Sequence, residues 1–271
     1  MTSTTTILRP LRFWHQSMTE LDVLGAYRRA LTNRAAEILG SDAAIEVHGM
    51  RSGTYHGRTP TAALENAFVY HRALDQIIDN AIRAEREGYD AFIIGSFSEP
   101  YLREIRSAVR IPVASILEST MLVACSLGKK IIPIANAPQI AFMVQSAVEK
   151  HGLQQRVMRA AALEPAWHEP ELAAAFDNPQ PVLDAFTRTA RHYLAQGAEV
   201  IVPAEGVMAS LLSANQIRQI DGAPVLDVFA LTWRYAVMLA RLRDQTGMQV
   251  SDVGHYARGE PALIELMVRK G

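Results

Sequence analysis

The sequence predicts an α/β fold of two pseudo-symmetric lobes, with parallel sheets flanked by helices and an active-site cleft between the lobes. Three observations carry that expectation. Short apolar runs alternate with helical patterns along the chain, the order that produces parallel sheets covered on both faces. Residues 88–97 and 197–206 match in form. Each opens with glycine (Gly88, Gly197), places an acidic residue two positions on (Asp90, Glu199), and runs through an apolar strand. Each then reaches a small residue (Gly95, Ala204) and a polar one (Ser96, Glu205). Residues 112–120 and 224–232 repeat in the same order, from Pro112 and Pro224 through a strand to Thr120 and Thr232. Ligands of α/β folds bind at the C-terminal ends of strands, so Ser96 and Glu205 are expected to face one pocket.

The elements follow in order. Residues 7–14 read as a first strand, and 21–39 carry apolar residues at helical spacing up to Gly40. Residues 43–47 form a second strand. Residues 62–87 read as one long helix with Ile77, Ile78, Ala81 and Ile82 inward. Strand 91–94, helix 101–109, strand 113–116 and helix 119–127, stopped at Gly128, complete the first set. The second set has strand 130–134, helix 138–151, a weak strand 156–161 and helix 181–196. It continues with strand 200–202, helix 207–217, strand 224–226 and helix 231–242. The expected division is an N-terminal lobe over 1–117 joined by part of the C-terminal region, and a second lobe over 118–228. The C-terminal helix and tail of 229–271 then pack back. The tail from Val250 is weakly patterned and suits packing over the surface or a neighbouring subunit.

Composition narrows the class. A chain of 271 residues that is 49% hydrophobic and 20% charged suits a globular enzyme with a sizeable core. A net charge of -1 argues against nucleic acid as partner. No apolar run is long enough for a transmembrane helix, and the first residues lack the pattern of a signal peptide, so a cytoplasmic location is expected. The single cysteine, Cys125, lies in an apolar helix and reads as structural. No metal is expected: His48 and His56 stand apart across a loop, and no ligand-spaced His or Cys pair occurs. Phosphate-binding glycine motifs are missing, so no nucleotide cofactor is expected.

The repeated segments, with Ser96 to Pro100, Ile111 to Val113 leading to Glu118, Gly128 to Lys130, and Glu205 to Met208, resemble the aspartate/glutamate/hydantoin racemase superfamily over roughly residues 10–245. The resemblance implies a cofactor-independent isomerase that acts by proton transfer on a small carboxylate or carbonyl compound of amino-acid or hydantoin type. It also implies a homo-oligomer. In that family two cysteines, one per lobe, flank the substrate carbon. Here the matching positions hold Ser96 and Glu205, so the two-thiol mechanism is not available.

A serine hydroxyl is a weak acid that suits hydrogen bonding to a developing oxyanion better than proton abstraction. A glutamate whose pKa burial raises toward neutrality suits general acid or base work. Glu205 is therefore the expected acid/base, with Ser96 as its catalytic partner and His71 as a second proton-transfer group. Capping of the following helix is the plainer reading of Glu205. Backbone N–H groups of Phe97, Ser98, Gly206 and Val207 are expected to bind an anion at helix starts. The family pattern and strand-end positions add His15, Gln16, Glu118, Ser119 and Asn136 as substrate contacts. The glycine-bracketed loop 53–58 adds His56 and Arg58 as weaker candidates. Alternative readings are a lyase, decarboxylase or hydrolase using Ser96 as nucleophile with His71 or Glu205, and a non-catalytic ligand-binding relative.

Overall fold

The computed structural model describes residues 9–268. The chain runs β1 (Leu11–Gln16), α1 (Gly25–Leu39), β2 (Ala43–His48), α2 (Pro60–Leu64), α3 (Ala67–Leu74), α4 (Gln76–Arg86), β3 (Ala91–Ile94), α5 (Leu102–Ala108), β4 (Val113–Ser115) and α6 (Ile116–Ala124). It continues with β5 (Ile131–Ala135), α7 (Pro138–Lys150), β6 (Ala161–Ala162), α8 (Glu169–Ala174), α9 (Gln180–Leu194), β7 (Val200–Pro203) and α10 (Gly206–Ala214). A short antiparallel pair, β8 (Gln219–Ile220) and β9 (Ala223–Pro224), precedes α11 (Val228–Thr246), and α12 (Pro261–Met267) ends the described chain.

Two parallel sheets form, in the orders β2-β1-β3-β4 and β6-β5-β7. Val225 adds a parallel bridge to Ile201 on the outer side of β7, so the second sheet repeats the order of the first with its fourth strand reduced to one residue. The central strands are fully buried apolar runs, as strands covered on both faces must be. Alternate residues of the first sheet enter two separate cores. Phe13 and Ile93 pack toward α1, α6 and α11, whereas Trp14, Phe92 and Ile94 pack toward α4 and α5.

The repeated residues have repeated tasks. Asp90 accepts from the Arg12 N–H (2.8 Å) at the start of β1, and Glu199 accepts from the Lys129 N–H just before β5. Gly88 and Gly197 adopt positive φ (77° and 92°), which lets the preceding helix turn sharply into its strand. Ser115 caps α6 by accepting from the Glu118 N–H, and its counterpart Asp227 caps α11 by accepting from the Ala230 N–H.

Several boundaries differ from expectation. The long helix 62–87 is three helices, because the Asn66 side chain accepts from the Phe68 and Val69 N–H groups and starts a new one, and the chain breaks again at Asp75. The first strand begins at Leu11 and runs on through Gln16; residues 7 and 8 lie outside the described residues. Weak strand 156–161 reduces to a bridge at Val157 and the two-residue β6. The expected strand 224–226 is shared between β9 and the Val225 bridge. The tail crosses the surface beside α4 and α5, where Arg86 pairs with Glu265 and Arg103 donates to the His255 carbonyl (3.2 Å).

Candidate active site

β7 ends at Pro203, which has no N–H to extend a ladder, and the chain turns through Ala204 into α10. Glu205 stands at that turn in extended backbone as the cap of α10. Its Oε1 accepts from the Val207 N–H (2.9 Å) and its Oε2 from the Met208 N–H (2.7 Å). Burial raises its pKa and the two N–H groups lower it, while the Glu169 carboxylate raises it further; the net result is a value of about 7. The plain cap and the cavity carboxyl are thus the same residue. Gly206 leaves the space that Tyr27 fills: an added Cβ would lie 2.7 Å from the Tyr27 hydroxyl.

The corresponding turn after β3 carries Ser96. Its hydroxyl lies 3.0 Å from that of Ser98, which accepts from the Tyr70 hydroxyl (3.0 Å), and the Ser98 N–H donates back to Ser96 (3.3 Å). Ser96 therefore belongs to a chain of hydroxyls. Three residues on, Glu99 is buried, takes hydrogen bonds from Ser115 and the Glu118 N–H, and contacts His151. These contacts anchor the Ser96 loop to β4, α6 and α7.

Ser96 and Glu205 line one cavity of about 90 Å³. Ser17, Tyr27, Phe97 and Ser98 belong to its first-sheet side, and Gly206 and Val207 to its second-sheet side. Thr61 and Leu64 of α2 close it from above, with Glu169 beside them. Leu64, Ser98 and Met143 are shared with a neighbouring apolar groove of about 760 Å³, flanked by Tyr70, Pro138 and Phe142.

Residues 26–236 match the family described as Asp/Glu/Hydantoin racemase. The chain belongs to the Asp/Glu/hydantoin racemase family. Membership makes it a racemase-type enzyme of the isomerase class. It is 26% identical over 172 residues to the hydantoin racemase of Pseudomonas sp. (strain NS671), covering 58% of this chain and 69% of that protein. It is 27% identical over 204 residues to the hydantoin racemase of Paenarthrobacter aurescens, covering 73% and 80%. Among solved structures, allantoin racemase from Pseudomonas fluorescens superposes with a TM-score of 0.73 at 21% identity, covering 93% of this chain and 98% of that one. Allantoin racemase from Klebsiella pneumoniae gives 0.72 at 19% identity, covering 92% and 94%. These likenesses show the fold.

Within this family fold, several expected contacts lie away from the cavity. His15 and Gln16 are not past the strand end but inside β1, so they point to opposite faces of the sheet. His15 is fully buried against Phe229 and Trp233, with its pKa pushed down to about 3 by burial. Gln16 turns to the other face, where its Oε1 accepts from Trp14 (3.1 Å) and Asn80 (2.9 Å). Ser17, the next residue, is the one that reaches the cavity. His71 is exposed on α3 with its ring edge on Tyr101. Glu118 pairs with Arg106 (2.9 Å), which holds its carboxyl below the usual range despite burial. Ser119 donates to the Ser115 carbonyl (2.7 Å) and meets Thr232 of α11. Asn136 is buried and ties the loop before α8 to β5 through the Trp167 carbonyl (2.8 Å).

His56 and Arg58 are exposed outside the cavity; the α2 helix after their loop covers it instead. The Val207 N–H serves Glu205 rather than a free anion. Cys125 sits half-buried at the end of α6. Among the described residues no group of His, Cys, Asp and Glu is arranged to hold a metal ion, and no helix is long and apolar enough to cross a membrane.

Tyr27, Thr61 and Glu169 line the cavity without having been singled out from the sequence. Tyr27 reads as one apolar position of α1, and Glu169 as an ordinary acid in the first turn of α8. Only tertiary packing brings them to the strand ends.

Proposed function

We propose that the enzyme moves the proton on a carbon next to a carbonyl, in a small molecule of hydantoin or amino-acid type, without a cofactor. Glu205 is the acid/base in this reading. The supporting observation is its buried carboxyl in the cavity with a pKa of about 7, close to the value at which a group can both take and return a proton near neutrality. Ser96 and Tyr27 offer hydroxyls to the carbonyl oxygen as negative charge develops there. The names of the curated relatives support a hydantoin-type substrate.

The same reading divides the chain into lobes over 1–117 and 118–228, with α11 returning to the first, where it packs on α1, α6, β3 and β4. It also includes self-association, expected from the resemblance. A nucleophilic role for Ser96 has less support, because its hydroxyl meets Ser98 and no histidine among the described residues lines the cavity. The test is deuterium exchange: the wild type incubated in D₂O with hydantoin loses the C5 proton signal by NMR, and Glu205→Gln does not. Full exchange by the variant would end the acid/base role.

A further inference from the structure

We propose that Glu169 selects the substrate by accepting a hydrogen bond from an N–H group beside the reacting carbon, and that the cavity turns away molecules with a free carboxylate. The inference rests on the proton-transfer reading only for where the reacting carbon lies.

Glu169 is only 9% exposed, at the start of α8. Its Oε1 is committed to α2, accepting from the Thr61 N–H (2.7 Å) and the Thr61 hydroxyl. Its Oε2 is buried and has no partner among the described residues, and the residue lines the cavity next to Glu205. A buried carboxylate oxygen without a donor is costly, so an occupant of the cavity that supplies one is favoured. An ionised carboxylate only accepts, so the matching ligand atom carries a hydrogen.

The charge of the cavity narrows the class. Among the described residues its lining holds two carboxyl groups, Glu169 and Glu205, and no lysine, arginine or histidine. A substrate carboxylate would bring another negative charge into about 90 Å³ with no cation among the described lining residues to meet it. The hydroxyl-bearing residues Ser17, Tyr27 and Ser96 line the cavity and suit a neutral carbonyl oxygen. The complementary substrate head is an uncharged amide, imide or ureide: its N–H to Glu169, its C=O to the hydroxyls, its acidic C–H to Glu205. Sites built to pair an N–H discriminate strongly against analogues that lack it, because the protein's own buried group is then left unpaired.

Calorimetric binding of probes tests this: hydantoin, 1,3-dimethylhydantoin without ring N–H groups, and hydantoic acid, the ring-opened carboxylate. The wild type is expected to bind hydantoin at least ~10-fold more tightly than either analogue. Glu169→Gln keeps an oxygen for Thr61 but presents an amide donor where Oε2 stood. It is expected to weaken hydantoin about 10-fold or more and to strengthen hydantoic acid. Equal binding of the probes by the wild type, absence of hydantoin binding, or an unchanged preference in Glu169→Gln would each overturn the inference. The wild-type series decides the matter even where the variant fails to fold. C5 deuterium exchange in the same samples separates the two readings. Hydantoin bound with the N–H preference but not exchanged removes proton transfer and leaves Glu169. Exchange without that preference removes Glu169 and leaves proton transfer.

Discussion

The turns after β3 and β7 occupy equivalent places in two sheets of the same order, and they carry different chemistry. One presents Ser96 in a chain of hydroxyls; the other presents Glu205, a carboxyl whose pKa lies near neutrality. The frame around them is shared: positive-φ glycines before each strand, acids bracing the neighbouring strand, and the paired caps Ser115 and Asp227. Backbone demands are therefore met twice in the same way, while the side chain at the ligand end is free to differ. With Glu205 as the proposed proton-transfer group and Ser96 as the proposed hydrogen-bonding group, the two faces of the substrate carbon would be treated unequally.

The largest expected effect lies in that contrast. Glu205→Gln should lower C5 exchange by roughly 10²–10⁴-fold, the usual loss for a general acid or base. Ser96→Ala should lower it by about 10-fold to 10²-fold, with the pH profile kept, since it removes a donor and not the titrating group. Equal losses in both variants would dissolve the asymmetry.

Next come opposing pH dependences of stability. Glu205 is raised from 4.5 to about 7, so its contribution is complete below about pH 4.5 and is lost as pH rises through 7, at most about 3 kcal/mol. His15 is lowered from 6.5 to about 3, so its contribution is complete above about pH 6.5 and is lost as pH falls through 3, at most about 5 kcal/mol. Denaturant midpoints measured against pH should lose the first slope in Glu205→Gln and the second in His15→Asn.

Smaller effects distinguish the glycines of the two turns. A Cβ at Gly95 would meet the His15 ring at 2.6 Å and the Gln16 carbonyl at 2.9 Å, whereas one at Gly206 meets the Tyr27 hydroxyl at 2.7 Å. Gly95→Ala should cost about 1–3 kcal/mol by denaturant unfolding, and Gly206→Ala less, because a side-chain end moves more easily than backbone. Smallest is the pair of caps. Ser115→Ala and Asp227→Ala should each cost about 1–2 kcal/mol, because Ser115 also donates to buried Glu99 and Asp227 also binds Arg34 (2.9 Å) and Ser213 (2.7 Å).

The fold was legible because buried parallel strands are written as apolar runs and the repeat supplied each strand end twice. The strand ends after β3 and β7 were legible for the same reason. The end of β1 was not. Taking it as Trp14 instead of Gln16 placed His15 and Gln16 at a strand end, when both lie within the sheet and only Ser17 reaches the cavity. The break at Asn66 was hidden by apolar spacing that continues across it. Glu169 was hidden more deeply, since an acid in a first helical turn looks alike whether it faces water or a cavity. Its position depends on Thr61, more than a hundred residues away in sequence.

One feature gives the enzyme a built-in indicator. Each oxygen of Glu205 is read by a separate amide, Val207 and Met208. When the carboxyl gains or gives up its proton, both amides change the charge they point at. Their ¹H–¹⁵N resonances should move together with a midpoint of about 7. Two peaks in a spectrum of ¹⁵N-labelled protein would then report, without any substrate analogue, which protonation state of Glu205 a bound molecule meets.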